Sequence, residues 1–310
     1  MTLRPFIALF TAVVLSVTWG SAAIGQGQGQ GSGIGHIKAV YVFGDSLSDN
    51  GNLFAATGGF APPSPPYFDG RFSNGPVWVE YLDGMLPRAT LNDFAVGGAF
   101  SDDRNENLPF LPGVLTQVAT FVSGSPELNH RDLCIVWSGA NNYIFEPLTS
   151  DPSTVVGDVL YAIEQLAAAG CQNFLMPNLP NIGESPFGVA SGLQGVLTPK
   201  IAEHNSLLAA EMDSLRAALD IEIVVLDVNI LLGRTLAGQL GFGNSTVPCL
   251  DGLTPTGACP VDETGQVESV APGTLFMDGV HPTTAAHRMI ATFAFGALAA
   301  SQGKRIAAAN

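Results

Sequence analysis

Five short apolar runs, each broken off by glycine, serine, proline or aspartate, recur along this chain with stretches of helical spacing between them. They are Lys38 to Phe43 before Gly44, Ala89 to Val96 before Gly97-Gly98, Leu133 to Trp137 before Ser138-Gly139, Phe174 to Met176 before Pro177-Asn178, and Ile221 to Leu226 before Asp227. Runs of this length and composition suit buried strands. Between them, Pro76 to Leu86, Val114 to Phe121, Val155 to Ala169 and Ile201 to Leu219 carry apolar residues at helical spacing. A last helix, Thr283 to Ala300, begins after Pro282, with Thr283 or Thr284 as its cap. Parallel neighbours need a crossover, and the crossover helices cover the sheet on both faces. The chain therefore reads as α/β: one three-layer α/β/α domain on a five-stranded parallel sheet, without an internal repeat or a second domain boundary. Ligands of such sheets bind beyond the carboxyl ends of the strands. There stand Gly44-Asp45-Ser46-Leu47-Ser48-Asp49, Gly97-Gly98-Ala99, Gly139-Ala140-Asn141-Asn142 and Asp227.

Composition narrows the function. With 46% hydrophobic residues the 310-residue chain can bury enough surface to offset its conformational entropy. Its 12 basic against 27 acidic residues give a net charge of -15, which repels phosphate backbones and anionic lipid and excludes nucleic acid as a partner. Residues 1–23 read as a signal peptide: one charge at Arg4, an apolar run from Pro5 to Trp19, and small residues at Ser21-Ala22-Ala23. The run is short for a bilayer span, so the expectation is export, with no stable membrane insertion once the signal is cleaved. Residues 24–36, rich in Gly and Gln, form a flexible polar spacer, which leaves 37–310 as the folded domain. Asn244 to Thr274, rich in Gly, Pro and Thr, reads as an extended surface insertion carrying the glycan acceptor Asn244-Ser245-Thr246. The cysteines, Cys134, Cys171, Cys249 and Cys259, form no C-x-x-C pair, which argues against a metal or redox site. Cys249 and Cys259 bracket a loop that invites a disulfide; Cys134 and Cys171 lie on apolar runs and are either paired or buried thiols.

A serine hydroxyl needs a base to take its proton and donors aimed at the oxyanion formed when it attacks a carbonyl. Ser46 follows a predicted strand by two residues. Of the five histidines, His36 is in the spacer, His130 precedes a strand, and His204 and His287 lie on helical patterns. His281 alone sits in a loop with a carboxylate three residues earlier, Asp278, which can accept from its Nδ1–H. Asp45 and Asp49 read as turn-stabilising hydrogen-bonders, and Asp227 as a structural residue and rival carboxylate. Phe60, Phe68, Phe72 and the run Pro62 to Pro66 read as a rigid surface loop in preference to an acyl-pocket wall.

In this order the pieces resemble the GDSL family of esterases and lipases, within the SGNH hydrolase superfamily, from Val40 to about Ile290. The matching blocks are Val42 to Asp49, Asp93-Phe94-Ala95-Val96-Gly97-Gly98-Ala99, Trp137-Ser138-Gly139-Ala140-Asn141 and Asp278-Gly279-Val280-His281-Pro282. Gly70 to Pro76 is similar to a segment of the secreted, lipase-like branch. The resemblance implies a flavodoxin-like SGNH hydrolase fold with strand order 2-1-3-4-5. It implies Ser46 as nucleophile, His281 as general base and acid, and Asp278 as orienting carboxylate. The oxyanion hole would combine the backbone N–H groups of Ser46 and Gly98 with the side-chain amide of Asn141. The family's usual Asp after the third-block Asn is Asn142 here, and the usual Asn opening the second block is Asp93. No G-x-S-x-G surrounds Ser46, against an α/β-hydrolase elbow.

The expectation is a secreted serine hydrolase that cleaves carboxylic esters, of acyl groups or lipids, through an acyl-enzyme, with no cofactor and no metal. Its partner is a small-molecule or lipid ester, and its oligomeric state is left open. A carbohydrate acetylesterase is the second reading. An inactive binding protein on the same fold is the third, against which the intact set Ser46, Gly98, Asn141, Asp278 and His281 speaks.

Overall fold

Each of the five apolar runs forms a strand in the computed structural model, which describes residues 36–269 and 273–309. The segments expected to be signal peptide and spacer, up to residue 35, lie outside the described residues. In chain order the elements are β1 (Ala39–Gly44), α1 (Asn52–Ala56), α2 (Trp78–Met85), β2 (Thr90–Asp93), α3 (Val114–Ser123), β3 (Asp132–Trp137), α4 (Ala140–Phe145), α5 (Pro152–Ala168), β4 (Asn173–Pro177), a 3₁₀ turn (Ile182–Glu184), α6 (Pro186–Ala190), α7 (Gln194–Leu219), β5 (Glu222–Leu226), α8 (Val228–Leu236), a small hairpin of β6 (Leu250–Asp251) and β7 (Thr254–Pro255), and α9 (Thr284–Ala309).

The sheet runs β2-β1-β3-β4-β5 and every pair is parallel. Alternate side chains of a strand face opposite sides, and here both sides are apolar. Val40, Val42, Leu133, Ile135 and Trp137 share one core with Trp78 and Leu82 of α2 and Ile290 and Ala294 of α9. Phe43, Cys134, Val136, Phe174 and Met176 share the other with Val118 of α3, Ile163 of α5 and Met212 of α7. All six residues of β3 are buried, as a central strand between two helical layers requires.

Two boundaries move. β2 stops at Asp93, but Phe94 N–H still donates to Val42 O and Val96 N–H to Gly44 O, so the chain stays alongside β1 as far as Gly97. α7 starts at Gln194, with Pro199 in its second turn. The short helices α1, α4, α6 and α8 have no counterpart in the sequence reading.

Both cysteine pairs are joined, Cys134 to Cys171 and Cys249 to Cys259. The first ties β3 to the entrance of β4 inside the core. The second closes the insertion, which is not merely a surface excursion. Cys249, Leu250, Cys259 and Val267 are buried with Tyr67 and Met277 in a small core of their own. Backbone bonds from Cys249 N to Phe276 O, Leu250 N to Met277 O and Val267 N to Pro66 O pin it to the segments on either side. No helix among the described residues is long and apolar enough to cross a membrane.

Candidate active site

β1 ends where its backbone must turn sharply. Gly44 lies opposite Trp137, and a Cβ there would come within 2.6 Å of Trp137 O. Gln117 of α3 takes the place of a strand partner, its Nε2 donating to Gly44 O at 2.9 Å and its Oε1 accepting from Gly44 N at 3.0 Å. Asp45 O then accepts from both Ser48 N and Asp49 N, closing a turn with Ser46 near its apex. The Asp49 carboxylate accepts from Gly51 N, Asn52 N, Leu53 N and Gly97 N, and so ties this turn to α1 and to the segment after β2. Asp45 accepts from Leu47 N at 3.0 Å. Burial pushes its carboxyl up to about 6, against the pull of that N–H and of the nearby His281.

The second segment arrives from the other end of the chain. Met277 N donates to His281 O at 2.7 Å, folding residues 277–281 into a compact loop ahead of α9. Asp278 Oδ1 accepts from Val280 N at 2.9 Å and from His281 N at 2.8 Å. Its Oδ2 lies 2.7 Å from His281 Nδ1, and His281 Nε2 lies 2.8 Å from Ser46 Oγ. With the ring proton on Nδ1, facing the carboxylate, Nε2 is the acceptor for the serine hydroxyl. Burial raises the Asp278 carboxyl, but the His281 charge and hydrogen bond, Tyr67 and the Val280 N–H outweigh it and hold the group at about 2. Asp278 is therefore an anion at any pH where a histidine titrates.

Two side chains at this loop went unforeseen or were read otherwise. Tyr67 O–H donates to the same Asp278 Oδ2 at 2.6 Å. Phe72, taken from the sequence as part of a surface loop, stacks on the His281 ring with centroids 4.8 Å apart. Nothing local betrays Tyr67, whose partner is 211 residues away. Behind His281, His287 of α9 accepts from Trp78 N and is pushed down to about 3 by burial and by the proximity of His281, so it stays neutral.

Gly98 and Asn141 stand on the other side of Ser46. Gly98 has φ +78°, and a Cβ there would meet Asn107 Nδ2 at 2.1 Å, so only glycine fits. Among the described residues neither Ser46 N nor Gly98 N donates a hydrogen bond. Asn141 Nδ2 donates to Ala99 O at 2.9 Å, which uses one of its two amide hydrogens. Asn142 points the other way: its Oδ1 accepts from Ser101 N, its Nδ2 donates to Ser101 Oγ, and that hydroxyl donates to Asp158 Oδ2. Asp93 Oδ1 accepts from Ala95 N at the bend after β2. Asp227 caps α8, accepting from Ile230 N and Asn178 Nδ2, and makes no hydrogen bond to His281. No group of three or more His, Cys, Asp or Glu able to hold a metal ion occurs among the described residues.

Comparison with known proteins gives the family. The family model for GDSL-like lipase/acylhydrolase matches residues 40–293. The chain belongs to that family. A phosphatidylcholine-sterol acyltransferase of Aeromonas hydrophila is 32% identical over 179 residues, 54% of this chain and 52% of the relative. A thermolabile hemolysin of Vibrio parahaemolyticus is 30% identical over 268 residues, 82% of this chain and 62% of the relative. The GDSL chain thus spans only about half to six-tenths of the length of these relatives. The solved aryl esterase of M. smegmatis covers 84% of this chain and 97% of its own at 15% identity, with a TM-score of 0.49.

In this GDSL-family chain, Ser46, His281 and Asn141 open onto one cavity at the carboxyl ends of β3, β4 and β5. Its far walls are apolar, formed by Leu231 and Leu232 of α8, Met289 and Ile290 of α9, Ile144 of α4 and Phe276. Gly98 is not part of that wall. Nor are Phe60, Phe68 and Phe72: Phe60 is 83% exposed, so the proline-rich loop does not line this cavity.

Proposed function

We propose that this chain hydrolyses carboxylic esters carrying an apolar acyl group. The observation that carries the reading is the hydrogen-bonded series Asp278–His281–Ser46 opening directly into an apolar cavity. Ser46 Oγ attacks the ester carbonyl while its proton passes to His281 Nε2. The alkoxide oxygen formed at the carbonyl is met by Ser46 N–H, Gly98 N–H and the free amide hydrogen of Asn141. The imidazolium, held in place by Asp278, returns the proton to the departing alcohol. Water, deprotonated by the same Nε2, then attacks the acyl-enzyme, releases the acid and restores Ser46. No cofactor enters the cycle.

The cavity favours lipid-like over carbohydrate esters. Leucine, methionine and isoleucine walls gain from burying methylene groups and offer sugar hydroxyls little to bond. The acyl chain therefore lies between α8 and α9, and a carbohydrate acetylester is the poorer substrate. We further propose that residues 1–23 direct export, with 24–36 as spacer and 37–310 as the hydrolase domain; the two disulfides suit an oxidising compartment. One experiment addresses the whole reading. A fluorophosphonate probe added to the medium of expressing cells should label a species whose N-terminus lies beyond residue 23, and Ser46→Ala should abolish both label and turnover. On that material, nitrophenyl esters of medium chain length should be cleaved faster than the acetate. Turnover in Ser46→Ala near the parental rate would mean the nucleophile is elsewhere.

A further inference from the structure

The Asp278 carboxylate has every acceptor position filled, and one of its donors belongs to no part of the catalytic series. Oδ1 takes two backbone N–H groups from its own loop, while Oδ2 takes His281 Nδ1–H at 2.7 Å and the Tyr67 hydroxyl at 2.6 Å. Tyr67 is 6% exposed. It is set from behind and from the side. Its N–H donates to Pro63 O, its carbonyl accepts from Ser64 Oγ, and its ring packs in the small core with Leu250, Met277 and the Cys249–Cys259 bridge. Its ring edge meets Phe72 at 5.8 Å, and Phe72 lies on His281. A ring wanted only for packing would not need its hydroxyl aimed at the one charged oxygen that His281 uses.

We propose that Tyr67 is a positioning residue for the reaction: its hydroxyl fixes the Asp278 carboxylate and draws off part of the negative charge offered to His281. This rests on the Ser46–His281–Asp278 reading above. A carboxylate with four donors cannot swing away from the imidazole. An oxygen that already accepts a phenolic proton is also a weaker partner for an imidazolium, so His281 gives up its proton more readily than it would beside a bare aspartate. The hydroxyl is a dependable donor because burial and the charge of Asp278 push its titration above the usual tyrosine range. Four further groups bear on the imidazole. Asp45 approaches from the turn after β1, His287 from α9, and Ser46 and Phe72 touch the ring. None of them is altered by a change confined to the Tyr67 hydroxyl, so a difference between parent and variant reports that hydroxyl.

The experiment is the pH dependence of kcat/KM for nitrophenyl ester hydrolysis by Tyr67→Phe and by protein with 3-fluorotyrosine placed at position 67. The phenyl variant keeps the ring and loses the donor, so its acid limb should move to higher pH by about half a unit or more. Its kcat should fall about tenfold with KM within twofold. The fluorinated ring keeps the volume and is a stronger donor, so its acid limb should move to lower pH. An acid limb in Tyr67→Phe that stays in place or moves down overturns the proposal even if kcat falls, because a space-filling ring would lower the rate without touching the titration. Should Tyr67→Phe fail to fold, the fluorotyrosine protein decides alone, and an unmoved or raised limb counts against the proposal. A parent with no acid limb, or an active Ser46→Ala, would instead sink the reading of the triad.

Discussion

On one side of Ser46 stand Gly98 and Asn141, held by amides and hydroxyls; on the other stand Asp278 and His281, held by a phenol, an aromatic face and buried charge. The donors of the first side, backbone N–H groups and a side-chain amide, do not titrate. Its brace is the reciprocal pair between Asn142 and Ser101, which joins the loop after β2 to α4. The second side is a series of ionisable groups in contact, with neutral His287 behind it and Asp45 in front. The difference teaches a division of labour. On the proposed roles, the developing oxyanion is met by donors that do not titrate, and the proton is moved by groups that one hydrogen bond can retune.

The largest expected effect tests the charged side. Asp278→Asn should lower kcat by on the order of 10³–10⁴, because an amide in that place favours the wrong imidazole tautomer. Asp227→Asn should cost only part of the cap on α8. Equal kinetic losses would show that the charge matters wherever it sits and would dissolve the contrast.

Next comes the neutral side. Asn141→Ala should lower kcat by on the order of 10²–10³ at every pH, with the acid limb unmoved and KM little changed. Ala99 O also loses its donor, so a small fall in melting temperature accompanies it. Asn142→Ala strands Ser101 N and takes from Ser101 Oγ one of its two hydrogen bonds, and should show the larger thermal loss with most of its turnover kept. An acid limb displaced in Asn141→Ala would mean that the two sides are electrically one.

The smallest effect concerns stability. His287 is pushed from its ordinary range to about 3 when folded, so below about 6.5 the unfolded chain takes a proton that the folded chain refuses. Its contribution is therefore lost as pH falls from about 6.5 toward 3. His287→Asn keeps an acceptor for Trp78 N without that liability. Relative to the parent it should gain roughly 2–3 kcal/mol between pH 7 and 4.5 in denaturant melts. A gap between the two proteins that is constant over that range would remove His287 from the charged side.

The sheet was legible because β1 and β3 are buried on both faces and leave dense apolar runs that end in glycine. The short helices α1, α4, α6 and α8 were not, since five to nine residues hold too few turns for a period to emerge. That loss matters, because α4 carries Asn141 and α8 part of the apolar cavity wall. Ser46, Asp278 and His281 could be picked out by residue type and by their place after a strand or in a loop. The cavity could not: leucines of α8 and methionine and isoleucine of α9 look like any core until the fold sets them facing Ser46. Tyr67 was hidden for the same reason, and the proline-rich loop around it drew attention to Phe60 and Phe68, which lie away from the cavity.

Ser46 and His281 are 235 residues apart in the chain. On the proposed roles, the nucleophile is thus made long before its base. Until residue 281 has been added and its loop has closed over β1, the serine is an ordinary alcohol, unable to acylate itself on whatever esters the growing chain meets. A product stopped short of that loop carries Ser46, Gly98 and Asn141 but no base for the serine. Reactivity toward a phosphonate probe is accordingly a certificate that both of these distant parts were made and brought together.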